Sequence, residues 1–268
     1  MRAQRENANG GDDVNGTRER YLEAMGIQAW ERRVDLPGLR PESAQVPDMP
    51  QAEPPPVVAE AQPPVSPPEP RLPESAETRS VASLDWSELK ARVAECTLCE
   101  LHAGRTQTVF GVGAHDADWM IIGEGPGAEE DRQGEPFVGR AGKLLNNMLR
   151  ALGLRREAVY IANIVKCRPP GNRDPKPEEA AACRPYLERQ IALVKPRLIL
   201  AVGRIAAQNL LDTDVAVGKL RGRAHRYGDA GIPLVVTYHP AYLLRSPEQK
   251  ARAWDDLCLA RALLEEEA

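Results

Sequence analysis

The chain has 268 residues, enough for one large domain or two small ones, and its 35 basic against 39 acidic side chains leave a formal net charge of −4. That balance excludes a uniformly basic nucleic-acid coat but permits a locally basic face. No apolar run approaches bilayer length, and the polar start Met-Arg-Ala-Gln-Arg lacks the apolar centre of a secretory signal, so no membrane contact and a cytoplasmic location are expected.

Residues 1–35 contain one amphipathic stretch, Arg18 to Arg33, in which Tyr21, Leu22, Met25 and Trp30 share part of a helical face interrupted by Gly26. It is predicted to be a short helix able to dock in a partner's groove. Residues 36–80 are proline-rich, with Pro54-Pro55-Pro56, Pro63-Pro64 and Pro67-Pro68 accompanied by little besides Val and Ala. Such a stretch cannot bury enough apolar surface to offset chain entropy, and it is read as a disordered linker.

Residues 81–268 read as one α/β domain. A helix is predicted from Trp86 to Glu95. A buried-type strand, Asp118 to Gly123, runs into a glycine-rich loop. Next come a helix from Gly142 to Leu152, a strand from Ala158 to Val165, and a long helix from Pro177 to Val194 that opens with proline and acids. The strand Arg197–Gly203, the helix Arg204–Leu211, the strand Ile232–Tyr238 and a closing helix from Pro247 to Glu266 complete the alternation. Near-continuous apolar strands alternating with helices imply a parallel sheet covered on both faces. Ligands of such sheets bind at the carboxyl ends of the strands. There the sequence puts Gly123 to Gly127, Asn163 to Cys167, and His239.

Five cysteines in a reducing compartment point to metal or chemistry rather than disulfides. Cys96 and Cys99 form a C-x-x-C, Cys167 follows the second strand, and Cys183 lies in the long helix. Four thiolates from two separated regions suit Zn²⁺ or an iron–sulfur cluster, and the wide spacing of the second pair favours the cluster. Cys258, between Leu257 and Leu259, reads as an ordinary packed thiol.

The loop from Gly123 to Gly139 carries Glu124, Glu129, Glu130 and Asp131. It is neither a dinucleotide fingerprint nor a Walker loop, because Pro126 and acids follow the glycines and no Gly-Lys-Ser/Thr appears. Its carboxylates would repel a free nucleotide and suit general-base work or a neutral ligand. Phe137 is either a core plug or a stacking surface. His239, before a proline-fixed turn, is either a hydrogen-bonded structural residue or a group facing the ligand. Tyr242, Leu243 and Leu244 form an apolar tip followed by Arg245, a wedge for a base stack or a core anchor. The stretch from Lys219 to Arg226 is the strongest local basic patch, a solvated face or a phosphate contact.

Taken in order, the C-x-x-C, G-E-G-P-G-A-E-E-D from Gly123, P-F-V-G-R-A-G from Pro136, A-N-I-V-K-C-R-P-P from Ala162, the distant Cys183 and H-P-A-Y-L-L-R from His239 resemble the family 4 uracil-DNA glycosylases over residues 84 to 262. The resemblance implies a three-layer α/β/α sandwich with a four-stranded parallel sheet. It implies a [4Fe-4S] cluster on Cys96, Cys99, Cys167 and Cys183, and a uracil pocket on Glu124, Gly125, Glu130, Phe137, Asn163 and His239. Expected catalytic residues are Glu124, Asn163 and His239, and expected DNA contacts are Lys219, Arg221, Arg223, Tyr242, Leu243 and Arg245. The expected substrate is uracil-containing DNA, acted on by a monomeric, nucleoid-associated bacterial repair enzyme that flips the base out and leaves an abasic site. The N-terminal helix would bind a replication or repair protein. Some relatives trap uracil through a histidine inserted after the asparagine strand; Arg168 to Asp174 lacks one, so ordinary turnover is expected. The competing readings are a broader mismatch glycosylase, a non-catalytic iron–sulfur DNA-binding module, and a zinc-containing nucleotide hydrolase.

Overall fold

The computed structural model describes residues 81–266. The expectations for residues 1–35 and 36–80 lie outside the described residues.

Asp85 opens helix α1 (Trp86–Ala94): its carboxylate accepts the Glu88 N–H at 2.9 Å, and Glu88 accepts the Asp85 N–H at 2.9 Å. This reciprocal cap satisfies two orphan donors and is worth about 1 kcal/mol. The short edge strand β1 (Val112–Gly113) precedes β2 (Trp119–Gly123), helix α2 (Ala128–Gln133) and helix α3 (Arg140–Ala151). The chain continues through β3 (Tyr160–Asn163), α4 (Pro177–Val194), β4 (Leu198–Val202), α5 (Arg204–Leu210) and α6 (Val217–Leu220). Strands β5 (Ala224–Tyr227) and β6 (Ile232–Thr237) and helices α7 (Pro240–Arg245) and α8 (Lys250–Glu266) close the domain.

The sheet order is β1-β3-β2-β4-β6-β5. Its four central strands are parallel, as expected, but the sheet has six strands rather than four: β1 and β5 add antiparallel edges. In β5 the side chains alternate between exposed and half-buried. This period of two is the signature of a half-covered edge, and the charges of the basic patch conceal it in the sequence.

Each central strand is buried on both faces. Met120 and Ile122 pack with α1, α4 and α5, while Trp119 and Ile121 pack with α3, α7 and α8. Two apolar cores thus sandwich one sheet, which is the three-layer α/β/α arrangement. From β2 the chain crosses to β3 on one side; from β4 it proceeds to β6 on the other. The carboxyl ends of β2 and β4 therefore flank the topological switch point, where such sheets open a crevice.

Candidate active site

A cleft of about 760 Å³ lies at that crevice, and Glu124, Gly125, Glu130, Phe137, Asn163 and His239 all line it. They come from the ends of β2, β3 and β6, from helix α2 and from the loop joining α2 to α3. The glycines at the strand ends decide how closely these groups meet. A methyl group on Gly123 would lie 2.5 Å from Asn163 Oδ1 and 2.6 Å from Phe137 Cζ. Only a residue without a side chain lets the amide and the ring share this corner.

Asn163 is 2 % exposed and its Oδ1 has no hydrogen-bond partner among the described residues. A buried, unsatisfied amide oxygen is uncommon in folded proteins, and beside an open cleft it marks a place for a donor from a ligand. Phe137 is held from several directions. Its backbone is left-handed, with φ 53°, a strained choice for an aromatic residue. Glu130 Oε1 accepts the Val138 and Gly139 N–H groups, both at 3.0 Å, and Arg156 donates to the carbonyls of Pro136 and Phe137. The Phe137 ring faces His239, with centroids 5.6 Å apart and planes inclined by 29°. The ring thus lines the cleft and also packs into the core of α3 and α8.

His239 caps α7: its Nδ1 accepts the Ala241 N–H at 3.1 Å. An Nδ1 used as an acceptor puts the single proton of a neutral imidazole on Nε2. Burial, reinforced by the nearby Arg245 charge and only partly opposed by Glu130, lowers its pKa from 6.5 to about 4. At the end of β4, Gly203 (φ 96°) makes room for it, since a side chain there would start 2.9 Å from His239 Cβ.

Burial, helped by Asp174 as a like charge and hydrogen-bond partner and opposed by Arg204, raises the Glu124 pKa from 4.5 to about 7. Asp174 also pairs with Arg204, and both line the cleft. Sequence reasoning missed these two residues. Arg173, next to Asp174, makes a two-pronged contact with Glu179 at 2.8 and 2.6 Å, which ties the loop after β3 to the start of α4. The Pro-Pro-Gly-Asn run after a strand end was the available signal that this loop folds back over the crevice.

The expected DNA contacts separate into three groups. Tyr242 and Arg245 line the cleft. Leu243 does not offer itself to DNA: it is 1 % exposed and packs against the core of α3 and α8, whereas Leu244 is 37 % exposed. The apolar tip forms helix α7, whose phase turns the first leucine inward and the second outward. Arg221 is also committed. It pairs with the buried Asp256, donates to the Arg252 carbonyl, and lies over the Tyr238 ring at 5.4 Å, so it braces α8 against the sheet. Lys219 and Arg223 are exposed.

Cys96, Cys99, Cys167 and Cys183 line a second, smaller cavity, together with Arg105 and Lys166. Arg105 donates to Cys167 Sγ at 3.1 Å, and the Lys166 N–H donates to Cys183 Sγ at 3.3 Å. Burial raises the thiol pKa of Cys99 and Cys167, and that of Cys183 to about 12. Among the described residues, no three His, Cys, Asp or Glu side chains are gathered tightly enough to hold one metal ion. Cys258 is exposed on α8.

Residues 110–258 match the Uracil DNA glycosylase superfamily. The chain is 45% identical over 179 residues to the type-4 uracil-DNA glycosylase of Thermotoga maritima, a match covering 66% of this chain and 93% of that protein. It is 44% identical over 173 residues to the type-4 uracil-DNA glycosylase of Archaeoglobus fulgidus, covering 62% and 85%. The type-5 uracil-DNA glycosylase of Thermus thermophilus is more distant, 35% identical over 153 residues and covering 49% and 68%. With its glycine-shaped cleft at the switch point and its four thiols lining a second cavity, the chain belongs to the type-4 branch of the Uracil DNA glycosylase superfamily.

Proposed function

We propose that the chain excises uracil from DNA by hydrolysing the N-glycosidic bond, leaving an abasic site. The observation that carries this reading is the buried, unpaired Oδ1 of Asn163, which shares a cleft with the Phe137 ring and a neutral His239. Uracil supplies what that oxygen lacks. Its N3–H donates to Oδ1, and its O4 accepts from Nδ2; cytosine presents an acceptor and a donor in the reverse order. Phe137 stacks on the face of the flipped base. Glu130 keeps the ring at its depth. A thymine methyl pressed against this wall would meet a carboxylate that cannot yield without releasing two backbone amides.

In the reaction the N1–C1′ bond breaks, the electron pair leaves with the base, and water adds to C1′. The Nε2–H of His239 faces the charge that develops on the uracil O2, a preorganised donor of the oxyanion-hole kind. Glu124, when ionised, stabilises the cationic sugar or takes the proton of the attacking water. Tyr242 and Arg245, with exposed Leu244 in place of Leu243, face the DNA at the cleft mouth, and Lys219 and Arg223 add phosphate contacts. Cys96, Cys99, Cys167 and Cys183 would hold a [4Fe-4S] cluster. Four thiols around one cavity, two of them already accepting N–H donors, are a donor set suited to it. When bound, such a cluster would tie together the segment after α1, the segment after β3, and α4. The enzyme acts as a monomer in the cytoplasm, and the amphipathic pattern from Arg18 to Arg33 supports recruitment by a repair or replication protein.

The test is direct. Purified protein is incubated with oligonucleotides carrying one uracil, cytosine or thymine, and abasic sites are cleaved with alkali. Strand breaks at uracil alone are expected; intact uracil strands with brown, folded protein would refute the assignment.

The raised pKa of Glu124 gives a second expectation. Its carboxyl is protonated below about 7 and ionised above it, so the single-turnover rate rises with pH through that value. The Glu124→Gln variant should have a flat profile over this range and a plateau rate lower on the order of tenfold. Because folding favours the protonated form, the Glu124 contribution to stability declines as pH rises from 4.5 to about 7.

A further inference from the structure

Asn163 poses a mechanical problem. The carboxamide that reads the base has no internal partner for its oxygen, so nothing within the cleft holds that oxygen before substrate arrives. Its aim must be set through the main chain. Part of that setting comes from the sheet, which continues past the strand end: the Ile164 N–H donates to Gly123 O at 2.9 Å and the Val165 N–H to Glu124 O at 3.2 Å. The rest comes from a buried cation. Lys166 is 1 % exposed, and its Nζ donates to the Asn163 carbonyl at 2.8 Å and to Gln190 Oε1 at 2.6 Å.

A lysine is an expensive choice for this task. A buried ammonium loses its hydration, and both of these acceptors are neutral amide oxygens. Its surroundings supply the reason for a charge. Lys166 lines the thiol cavity, its own N–H donates to Cys183 Sγ at 3.3 Å, and the next residue is Cys167. Thiolates holding a metal centre would put negative charge in the cavity that Lys166 lines and would favour the ammonium there. Gln190 extends the network, donating to Phe110 O at 2.8 Å and to the Tyr160 hydroxyl at 3.1 Å. Lys166 is therefore the node at which α4, the end of β3 and the four-thiol cavity meet.

We infer that Lys166 is a positioning residue that transmits the order of the four-cysteine site to the base-reading Asn163, by gripping the Asn163 carbonyl from the thiol side. The inference rests on the proposed uracil-excision reading and adds a function for the thiol site within it: that site sets the register of the reading amide as well as tying loops together. A misplacement of about 1 Å in such a group is enough to lower a rate on the order of 10²-fold.

The experiment uses the full chain purified without oxygen, as parent, Lys166→Met and Gln190→Met. For each, iron per chain, absorption near 400 nm and thermal unfolding are measured, followed by the maximal single-turnover rate and half-saturating concentration on uracil oligonucleotides. Lys166→Met is expected to lower the maximal rate by at least about tenfold per iron-loaded chain, with half-saturation changed less than about twofold. Gln190→Met leaves the grip on Asn163 O in place and should lose less. If Lys166→Met does not accumulate as folded protein, Lys166→Arg replaces it: the charge stays while the planar head group cannot take the same place, and the rate should again fall with iron retained. A Lys166 variant with parental iron and a parental maximal rate overturns the inference, as does a Lys166 variant whose rate falls only in proportion to lost iron. Failure of the parent to excise uracil would sink the functional reading itself, a result distinct from either of these.

Discussion

Asn163→Ala should lower the single-turnover rate of uracil excision on the order of 10³-fold while leaving affinity for uracil-containing DNA within about threefold. The reason is the double duty of one amide. Its oxygen is buried without a partner among the described residues, and the residue lines the cleft. Leaving such an acceptor unpaired costs about 1–3 kcal/mol, and that cost is relieved only when a base bearing an N–H enters. DNA affinity comes mainly from phosphate contacts, which the substitution does not touch. The same logic yields a second readout. Removing an unsatisfied polar group from the fold should leave thermal stability unchanged or slightly raised, although a side chain has been truncated. A large loss of stability would mean that Asn163 is chiefly a structural residue; an undiminished excision rate would remove it from base recognition.

How far the sequence discloses this arrangement depends on the range of the interactions concerned. The central strands and helix α4 are legible because their signals are local: apolar runs of strand length, and a proline with acids at a helix start. Helix α2 was hidden inside what reads as an acidic loop. Yet Glu129, Glu130 and Asp131 in its first turn are what a helix N-terminus favours, so the acids were themselves the signal. Helix α7 was hidden likewise, although Pro240 at its first position and His239 as its cap are recognisable start signals. The exchange of Leu243 for Leu244 follows directly from not seeing that helix. Other features have no local signal at all. Arg221 finds Asp256 35 residues away, and Arg204 finds Asp174 30 residues away. Charge counting assigns such residues to a basic face or an acidic loop, and only tertiary packing shows which charges are already spoken for. The convergence at Gly123 belongs to the same class, since its close neighbours come from β3 and from the loop before α3.

His239→Ala should cost about 10²–10³-fold in the single-turnover rate, the range for losing one preorganised donor to a developing oxyanion. The hydrogen bond from Ala241 N–H to Nδ1 makes a more specific expectation possible. It commits the ring to the neutral form with its proton on Nε2, and burial keeps it so down to about pH 4. Folding favours the uncharged imidazole, so its contribution to stability is fully present above 6.5 and is lost as pH falls through about 4. The proposed donor is therefore the same species at pH 5 as at pH 8, and no step attributable to histidine should appear near 6.5. Glu124 titrates in the neutral range and would mask this, which is why the measurement belongs in the Glu124→Gln background: there the rate between pH 5 and 8 should be level. Gly203→Ala tests the same donor from behind. The added methyl would start 2.9 Å from His239 Cβ on a backbone with φ 96°, and moving the ring even slightly would swing Nε2 away from the proposed position of the uracil O2. Its rate loss should fall between those of the parent and His239→Ala, with the neutral-range pH profile still level once Glu124 is removed. A rate that instead drops tenfold between pH 7 and 5.5 in the Glu124→Gln background would show that a protonated imidazole obstructs the reaction well above pH 4. The neutral Nε2–H donor would then be the wrong species.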